Sequence, residues 1–358
     1  MFSGLANLLK IFKRQRSLVS IDMGSRYIKL LEIEGSPEAP RLRSMGMATL
    51  PLGAIVDGIP KQRAVIKERL EALINNLKVA SKQVSLAISG YSVIIKRINL
   101  PREREADLPE GLEEEAESYI PFDLEEVYLD HHLFNPRQSG NLDLLLVAAR
   151  REIIDEYSSL AMEAGVVPSV IGVDVLSLSN TYEFCQGSNG AALVDIGASK
   201  MTVSIWSKGG PIFVRDVAQG GSQLTSDIAK ALDIPFEEAE RLKITISPQD
   251  QRFSKIREVV EEAQKRWIKE VKKALEFAKV SFGDLDISAV YLVGGSARIK
   301  GLLESFRQGL DFEVHLLDPL ASLEADFQKI DEDYVRQASI QMGVCLGSSL
   351  ANLITEES

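Results

Sequence analysis

Cysteine is nearly missing from this sequence. Cys185 and Cys345 are its two examples, far apart and without Cys-x-x-Cys spacing, so a disulfide framework and a cysteine zinc site both lack support. Both read as small core residues. Histidine is almost as scarce: His131, His132 and His315 offer one adjacent pair and no spacing that ligates a metal, and His131 and His132 read as strand or surface residues. No run of 18 or more apolar residues occurs, so nothing reads as a membrane span. A basic excess is absent too: 41 Lys and Arg against 52 Asp and Glu leave a net charge of -11, which argues against nucleic acid as a partner. The Walker motif Gly-x-x-x-x-Gly-Lys-Ser/Thr is missing, which removes the ordinary P-loop NTPase reading.

What is present is a chain of 358 residues, 45% hydrophobic and 26% charged, enough for about two domain-sized cores. Residues 1–16 stand apart as a basic amphipathic segment. Phe2, Leu5, Leu8, Leu9 and Phe12 recur at helical spacing beside Lys10, Lys13, Arg14 and Arg16. The pattern suits a short interfacial helix at a membrane or partner, with a helix docked on its own protein as the plain alternative. Its apolar-then-basic order is the reverse of a signal peptide's.

A strand, an Asp-x-Gly turn and a second strand occur twice, at Leu18 to Ile33 and at Ala191 to Ser207, which predicts a duplicated α/β architecture. Between the copies, Gln62 to Leu77 has helical spacing and Val84 to Ser89 reads as a strand. Asp107 to Ile120 reads as an acidic helix ended by an Ile120-Pro121-Phe122 corner. Glu126 to Leu133 and Leu142 to Ala148 read as strands and Glu152 to Ala164 as a helix, so residues 96–168 form an inserted small subdomain. Phe253 to Phe282 is a long amphipathic helix with Trp267 on its core face. Ala289 to Val293 is a strand, followed by a Gly-Gly-Ser loop and a helix over Ile299 to Gln308. The expected division is a first lobe over 17–190, a second over 191–320, and a C-terminal segment, 321–358, returning to the first.

Three loops carry phosphate-binding chemistry. In Asp22-Met23-Gly24-Ser25 the glycine lets the backbone approach a phosphate, whose oxygens consecutive amides can cradle. Asp195-Ile196-Gly197-Ala198-Ser199, with Thr202 beyond, is a facing copy, and Asp22 and Asp195 would hold hydrated Mg2+ between them. Gly294-Gly295-Ser296-Ala297, between a strand and a helix, would aim helix N-terminal amides at a nucleoside.

The ordered trio resembles the loops of the actin, sugar kinase and heat-shock chaperone ATPase superfamily. Lys29 matches a basic position after its first loop, and Glu240 and Lys243 resemble the Glu-x-x-Lys that meets adenine and ribose in the chaperone branch. The resemblance implies an actin-like ATPase fold, two lobes around a nucleotide cleft, holding ATP and Mg2+. The stretch Glu115 to Asp130, with its Tyr119-Ile120-Pro121-Phe122 corner, and Gly220-Gly221-Ser222-Gln223-Leu224-Thr225 are similar to the PilM family of type IV pilus assembly proteins, relatives of the divisome protein FtsA. This likeness implies an FtsA-like inserted subdomain, a cytoplasmic location at the inner membrane, and docking of the PilN cytoplasmic tail through Glu115, Tyr119, Pro121 and Phe122. Contact with pilus motor ATPases and oligomer formation stay open. Leu176 stands where PilM relatives often carry Glu, and Asp174 would point to another face of that helix, so the expectation is tight ATP binding with slow or no hydrolysis. No general base is assigned. The alternatives are an FtsA-like filament protein and an active ATPase or kinase of the superfamily.

Overall fold

Strand alternation and helical spacing place the elements of the computed structural model, which describes residues 17–36, 39–89, 93–100, 112, 115–134, 141–207, 210–283, 285–328 and 330–355. The amphipathic segment 1–16 and most of the acidic stretch 107–118, Glu113 and Glu114 included, lie outside the described residues.

β1 (Ser17–Met23), β2 (Tyr27–Ser36) and β3 (Ala39–Thr49) form an antiparallel meander. The short hairpin β4 (Ile55–Val56) and β5 (Ile59–Pro60) leads to α1 (Arg63–Leu77) and β6 (Gln83–Ile88), which lies parallel to β1. β7 (Val93–Leu100), β8 (Val127–Phe134) and β9 (Leu142–Arg150) make a separate antiparallel sheet in the order β7-β9-β8. α2 (Arg151–Glu163) and β10 (Val167–Val173) return to the first sheet, and α3 (Asp174–Gln186) leads away from it. The meander then recurs as β11 (Ala191–Ile196), β12 (Met201–Ser207) and β13 (Gly210–Val217). After α4 (Gly221–Leu232), α5 (Phe236–Thr245) and α6 (Phe253–Phe282), β14 (Ala289–Val293) pairs parallel with β11. α7 (Leu302–Gly309) precedes β15 (Glu313–Leu316), which pairs parallel with β14. β16 (Glu324–Ala325) adds to the edge of β3, and α8 (Glu332–Ala338) and α9 (Gly343–Thr355) complete the chain's return.

The sheet orders, β10-β6-β1-β2-β3-β16 and β13-β12-β11-β14-β15, share one plan. Each is a meander with two parallel strands added beside its first strand. On one face of the first sheet α1 and α2 close a core around Ile21, Leu70 and Tyr157. On the other, α8 and α9 pack Val335, Cys345 and Leu346 against Leu31 and Ile33. The second sheet buries its outer face under α4 to α7, where Ile256, Val260, Ala263, Trp267, Val271, Ala274 and Ala278 line one stripe of α6. Its inner face meets α3 through Val175, Leu178 and Tyr182. Helices α3 and α9 therefore fill the space between the two sheets, and the chain has the actin-like α/β fold of two lobes around a cleft.

The small subdomain has its own core, built on Ile98, Ala116, Ile120, Val127 and Leu144. That core takes in strands over 93–150 rather than the expected 96–168, because Ile153, Tyr157 and Leu160 of α2 turn toward the first sheet and β10 pairs with β6.

Candidate functional site

Period-2 alternation decides where the two aspartates of the repeated hairpins go. On β1, Val19, Ile21 and Met23 face α1 and α2, while the Ser20 hydroxyl donates to the Cys345 carbonyl of α9 at 2.7 Å. Asp22 shares the parity of Ser20 and so emerges between the lobes. On β11, Ala192, Val194 and Ile196 join the outer core and Ala191 and Leu193 the inner one, which puts Asp195 on the inner side. Across each hairpin, Asp22 is paired with Lys29 and Asp195 with Thr202. The turns match as well, since Gly24 N–H donates to Tyr27 O at 3.0 Å and Gly197 N–H to Lys200 O at 2.9 Å.

The two turns meet across the cleft, where the Ser25 hydroxyl donates to Ser199 Oγ at 3.1 Å. Gly24, Ser25, Gly197, Ala198, Ser199, Gly294, Gly295 and Ser296 all line one cleft, together with Asp22, Asp195, Lys29, Thr202, Glu240 and Lys243. The structure thus brings every expected nucleotide-site residue to a single cleft. Gly294 has φ +90, and a Cβ there would run into Asp195 Oδ1 and the Ile196 carbonyl; only glycine lets the third loop lie this close to the second.

The floor is a charge cluster. Lys29 Nζ donates to Asp22 at 2.6 Å. Burial opposes the Lys29 charge, but Asp22, with Cys345 and Asp195 behind it, holds its pKa above the ordinary lysine value. Lys200 bridges Asp174 at 3.3 Å and Asp216 at 2.9 Å. It too is held high, the two carboxylates outweighing burial. Asp174 is raised by burial, against the pull of Lys200 and with the push of Asp216. Burial lifts Asp195 to about 6, with Asp174 and Asp22 adding like charge and Lys29 and Lys200 pulling the other way. Fully ionised, four carboxylates against two ammonium groups leave a surplus of two negative charges.

Toward the second lobe, Lys243 donates to Glu240 at 2.7 Å, to Thr225 Oγ1 at 2.9 Å and to the Gly221 carbonyl at 3.2 Å. Burial lowers its pKa against the pull of Glu240. Thr202, placed by sequence near a phosphate, donates instead to Asp216 at 2.7 Å. The third loop also departs from expectation: Gly295–Arg298 is a 3-10 turn, Ile299 is extended, and α7 begins only at Leu302. Its turn, not the α7 N-terminus, faces the cleft, and Ser296 Oγ donates to the Gly197 carbonyl at 3.1 Å.

Asp174, the first residue of α3, lines the cleft, whereas Leu176 packs with Val175 and Leu178 against the inner core. Sequence reading passed over Lys200, Asp216 and Arg26, whose partners are brought in by the fold. Of the expected partner residues, Tyr119 is 40% exposed and its hydroxyl lies 3.5 Å from Glu115. Pro121 is exposed, and Phe122 packs against the subdomain core beneath the Arg150 guanidinium, 5.4 Å from its ring centre. Among the described residues no helix is long and apolar enough to cross a membrane.

The family model described as type IV pilus assembly protein PilM matches residues 20–352. Cell division protein FtsA of Agrobacterium fabrum (strain C58) is 27% identical over 154 residues, 37% of this chain and 35% of that protein; FtsA of Rhizobium meliloti is 26% identical over the same extent. The chain spans about a third of the length of the curated relatives it matches (35%). Among solved structures, a PilM-PilN type IV pilus biogenesis complex superposes with a TM-score of 0.84 at 23% identity, covering 95% of this chain and 99% of that one. The ethanolamine utilization protein EutJ of Carboxydothermus hydrogenoformans follows at 0.60 and 17%, covering 94% and 90%. MreB5 of Spiroplasma citri, solved bound to AMPPNP, gives 0.55 and 13%, covering 96% and 98%. At these identities the solved structures establish the fold.

Proposed function

The chain belongs to the PilM family of type IV pilus assembly proteins, and from that premise we propose that it is an ATP-binding scaffold of the pilus machine. In this reading its lobes close on Mg2+ and ATP with little or no turnover, and its small subdomain docks the cytoplasmic tail of inner-membrane PilN. The observation that carries it is the convergence of two matched Asp-x-Gly turns, touching at Ser25 and Ser199, on a floor with surplus negative charge. Backbone amides at Gly24-Ser25 and Gly197-Ala198-Ser199 would take the phosphates and Gly294-Gly295-Ser296 the nucleoside side, with Glu240 and Lys243 beside the sugar and base. Asp22 and Asp195 are hard oxygen donors of the kind Mg2+ selects. Such an ion would keep several waters and take its remaining ligands from phosphate. Held between the lobes by Asp22 and Asp195, a hydrated Mg2+ would offset the charge of the two carboxylate-bearing hairpins and of the phosphates.

Slow turnover follows from Asp174. It is the one carboxylate at the head of α3 able to orient a water, and Lys200 holds it at 3.3 Å; Leu176, partly buried, packs against the inner core and does not line the cleft. The amphipathic segment 1–16 supplies contact with an anionic membrane surface in this reading, and Glu115, Tyr119, Pro121 and Phe122 the contact with the PilN tail.

Calorimetry of Mg2+-ATP binding tests the cleft. Asp195→Ala and Asp22→Ala should each weaken it by about tenfold or more, equivalent to about 1.4 kcal/mol, and phosphate release by the wild type should be near background. Unchanged affinity in both variants, or turnover of several per second in a clean preparation, would overturn this assignment.

A further inference from the structure

Arg26 stands just past the first phosphate turn, and its side chain is only 6% exposed. Nη1 donates to the Leu50 carbonyl of its own lobe at 2.9 Å. Nη2 reaches across to the Glu237 carboxylate on α5 of the other lobe, at 3.3 and 3.4 Å. The guanidinium carbon also lies 5.5 Å from the centre of the Phe236 ring, on the same helix. The side chain lines the cleft, and its Nε is buried and, among the described residues, has no hydrogen-bond partner.

Each of these facts bears on what the side chain does. A buried guanidinium is costly unless its donors are met, and a lone buried N–H on a cleft wall is met when a ligand rich in acceptor oxygens fills the cleft. The anchor in the first lobe is fixed, a backbone carbonyl beside the turn. The contact in the second lobe is breakable, because Glu237 is 72% exposed and a pair with one solvated partner is weak and sensitive to salt. Together with the Ser25–Ser199 hydrogen bond, Arg26 ties the hairpin of one lobe to a helix of the other on the nucleoside side of the cleft, close enough to Lys243 to add to the fall in its pKa.

We propose that Arg26, with Phe236 and Glu237, is a latch between the lobes that sets how fast the cleft exchanges its nucleotide. Arg26 is a positioning residue in this role: it acts by holding the lobes together. The latch rests on the reading that the cleft binds ATP and adds to it a rate. A scaffold whose nucleotide is not consumed changes state only by exchange, and the latch places that control on a contact that a partner or a change of ionic strength can loosen.

The test is stopped-flow displacement of a fluorescent ATP analogue from the full chain, with hydrogen exchange of the nucleotide-free protein over residues 22–29 and 234–240. Glu237→Ala, at an exposed position, should speed release about two- to fivefold, and Arg26→Met about tenfold, with association rates nearly unchanged. Glu237→Asp should recover most of the wild-type rate, and the double variant should release no faster than Arg26→Met alone. Raising salt from about 0.05 to about 0.5 M should speed release from the wild type and not from Arg26→Met. Both segments should exchange faster in either single variant. A wild type that binds the analogue, with variants that lose thermal stability yet release it at the wild-type rate, would make Arg26 a structural prop and overturn the latch. A wild type that binds no analogue overturns the nucleotide reading itself, and the latch with it.

Discussion

Burial and the carboxylates Asp174 and Asp22 lift Asp195 to about 6, above the value of about 3.9 of an unfolded aspartate. The native state therefore holds the proton more tightly than the unfolded chain. Between about pH 4 and pH 6 stability falls as pH rises, and above that the full penalty, of order 1–3 kcal/mol, is present. Asp195→Asn should accordingly stabilise the nucleotide-free protein by about that amount at pH 7 and hardly at all near pH 4, while weakening Mg2+-ATP. Urea melts in chelator at the two pH values check this; a variant no more stable than wild type at pH 7 would mean that Asp195 is already compensated. Such a trade would fit the proposed Mg2+ site. Asp195 itself was legible in the sequence because a strand, a turn glycine and a cross-strand partner are local features. Lys200, Asp216 and Arg26 were not, since their partners sit 14 to 211 residues away and no local pattern announces them.

The small subdomain separates exposed from packed aromatics at one corner. Tyr119 is exposed, while Phe122 lies against the subdomain core under Arg150. If the corner receives the PilN tail, Tyr119→Ala should leave stability within about 0.5 kcal/mol yet weaken a PilN-tail peptide by about tenfold. Phe122→Ala should cost stability as well, about 1–3 kcal/mol. Fluorescence anisotropy with the labelled peptide, alongside thermal melts, distinguishes the two. Wild-type affinity in folded Tyr119→Ala and Glu115→Ala proteins would place the partner elsewhere. Elements with a strong period were readable here: α6 over Phe253–Phe282 and β14 over Ala289–Val293 match their sequence expectation. The third loop was not, because whether a Gly-Gly-Ser run opens an α-helix or a 3-10 turn depends on Ile299, which is extended and buried against the α4–α7 core.

At the scale of the molecule, the repeated hairpin announced the duplication, but not how the halves are joined. The joining layer is α3 and α9, neither of which carries a motif. α3 packs Leu178 and Tyr182 against Leu193 and Trp206 of the second sheet, and donates the Thr181 hydroxyl to the Gly343 carbonyl at the head of α9 at 2.6 Å. Such a layer transmits closure, since both lobes bear on the same two helices. The two tryptophans report different parts of this arrangement. Trp267 is enclosed by the outer core of the second lobe. Trp206 lies in the interlobe core, its indole N–H donating to Ser204 Oγ at 3.0 Å. In a Trp267→Phe background, Trp206 becomes a reporter of the joint between the lobes. Mg2+-ATP at about 100 times its dissociation constant should add about 2.7 kcal/mol to global stability and, by closing the lobes on α3, shift the Trp206 emission and slow its quenching by acrylamide. ADP without metal should do less, because the charge that joins the two aspartate hairpins is then missing. Should calorimetry show ATP bound while Trp206 emission and quenching stay as in the nucleotide-free protein, the cleft would bind its ligand without moving the lobes, and nucleotide would have no mechanical route to the proposed partner site.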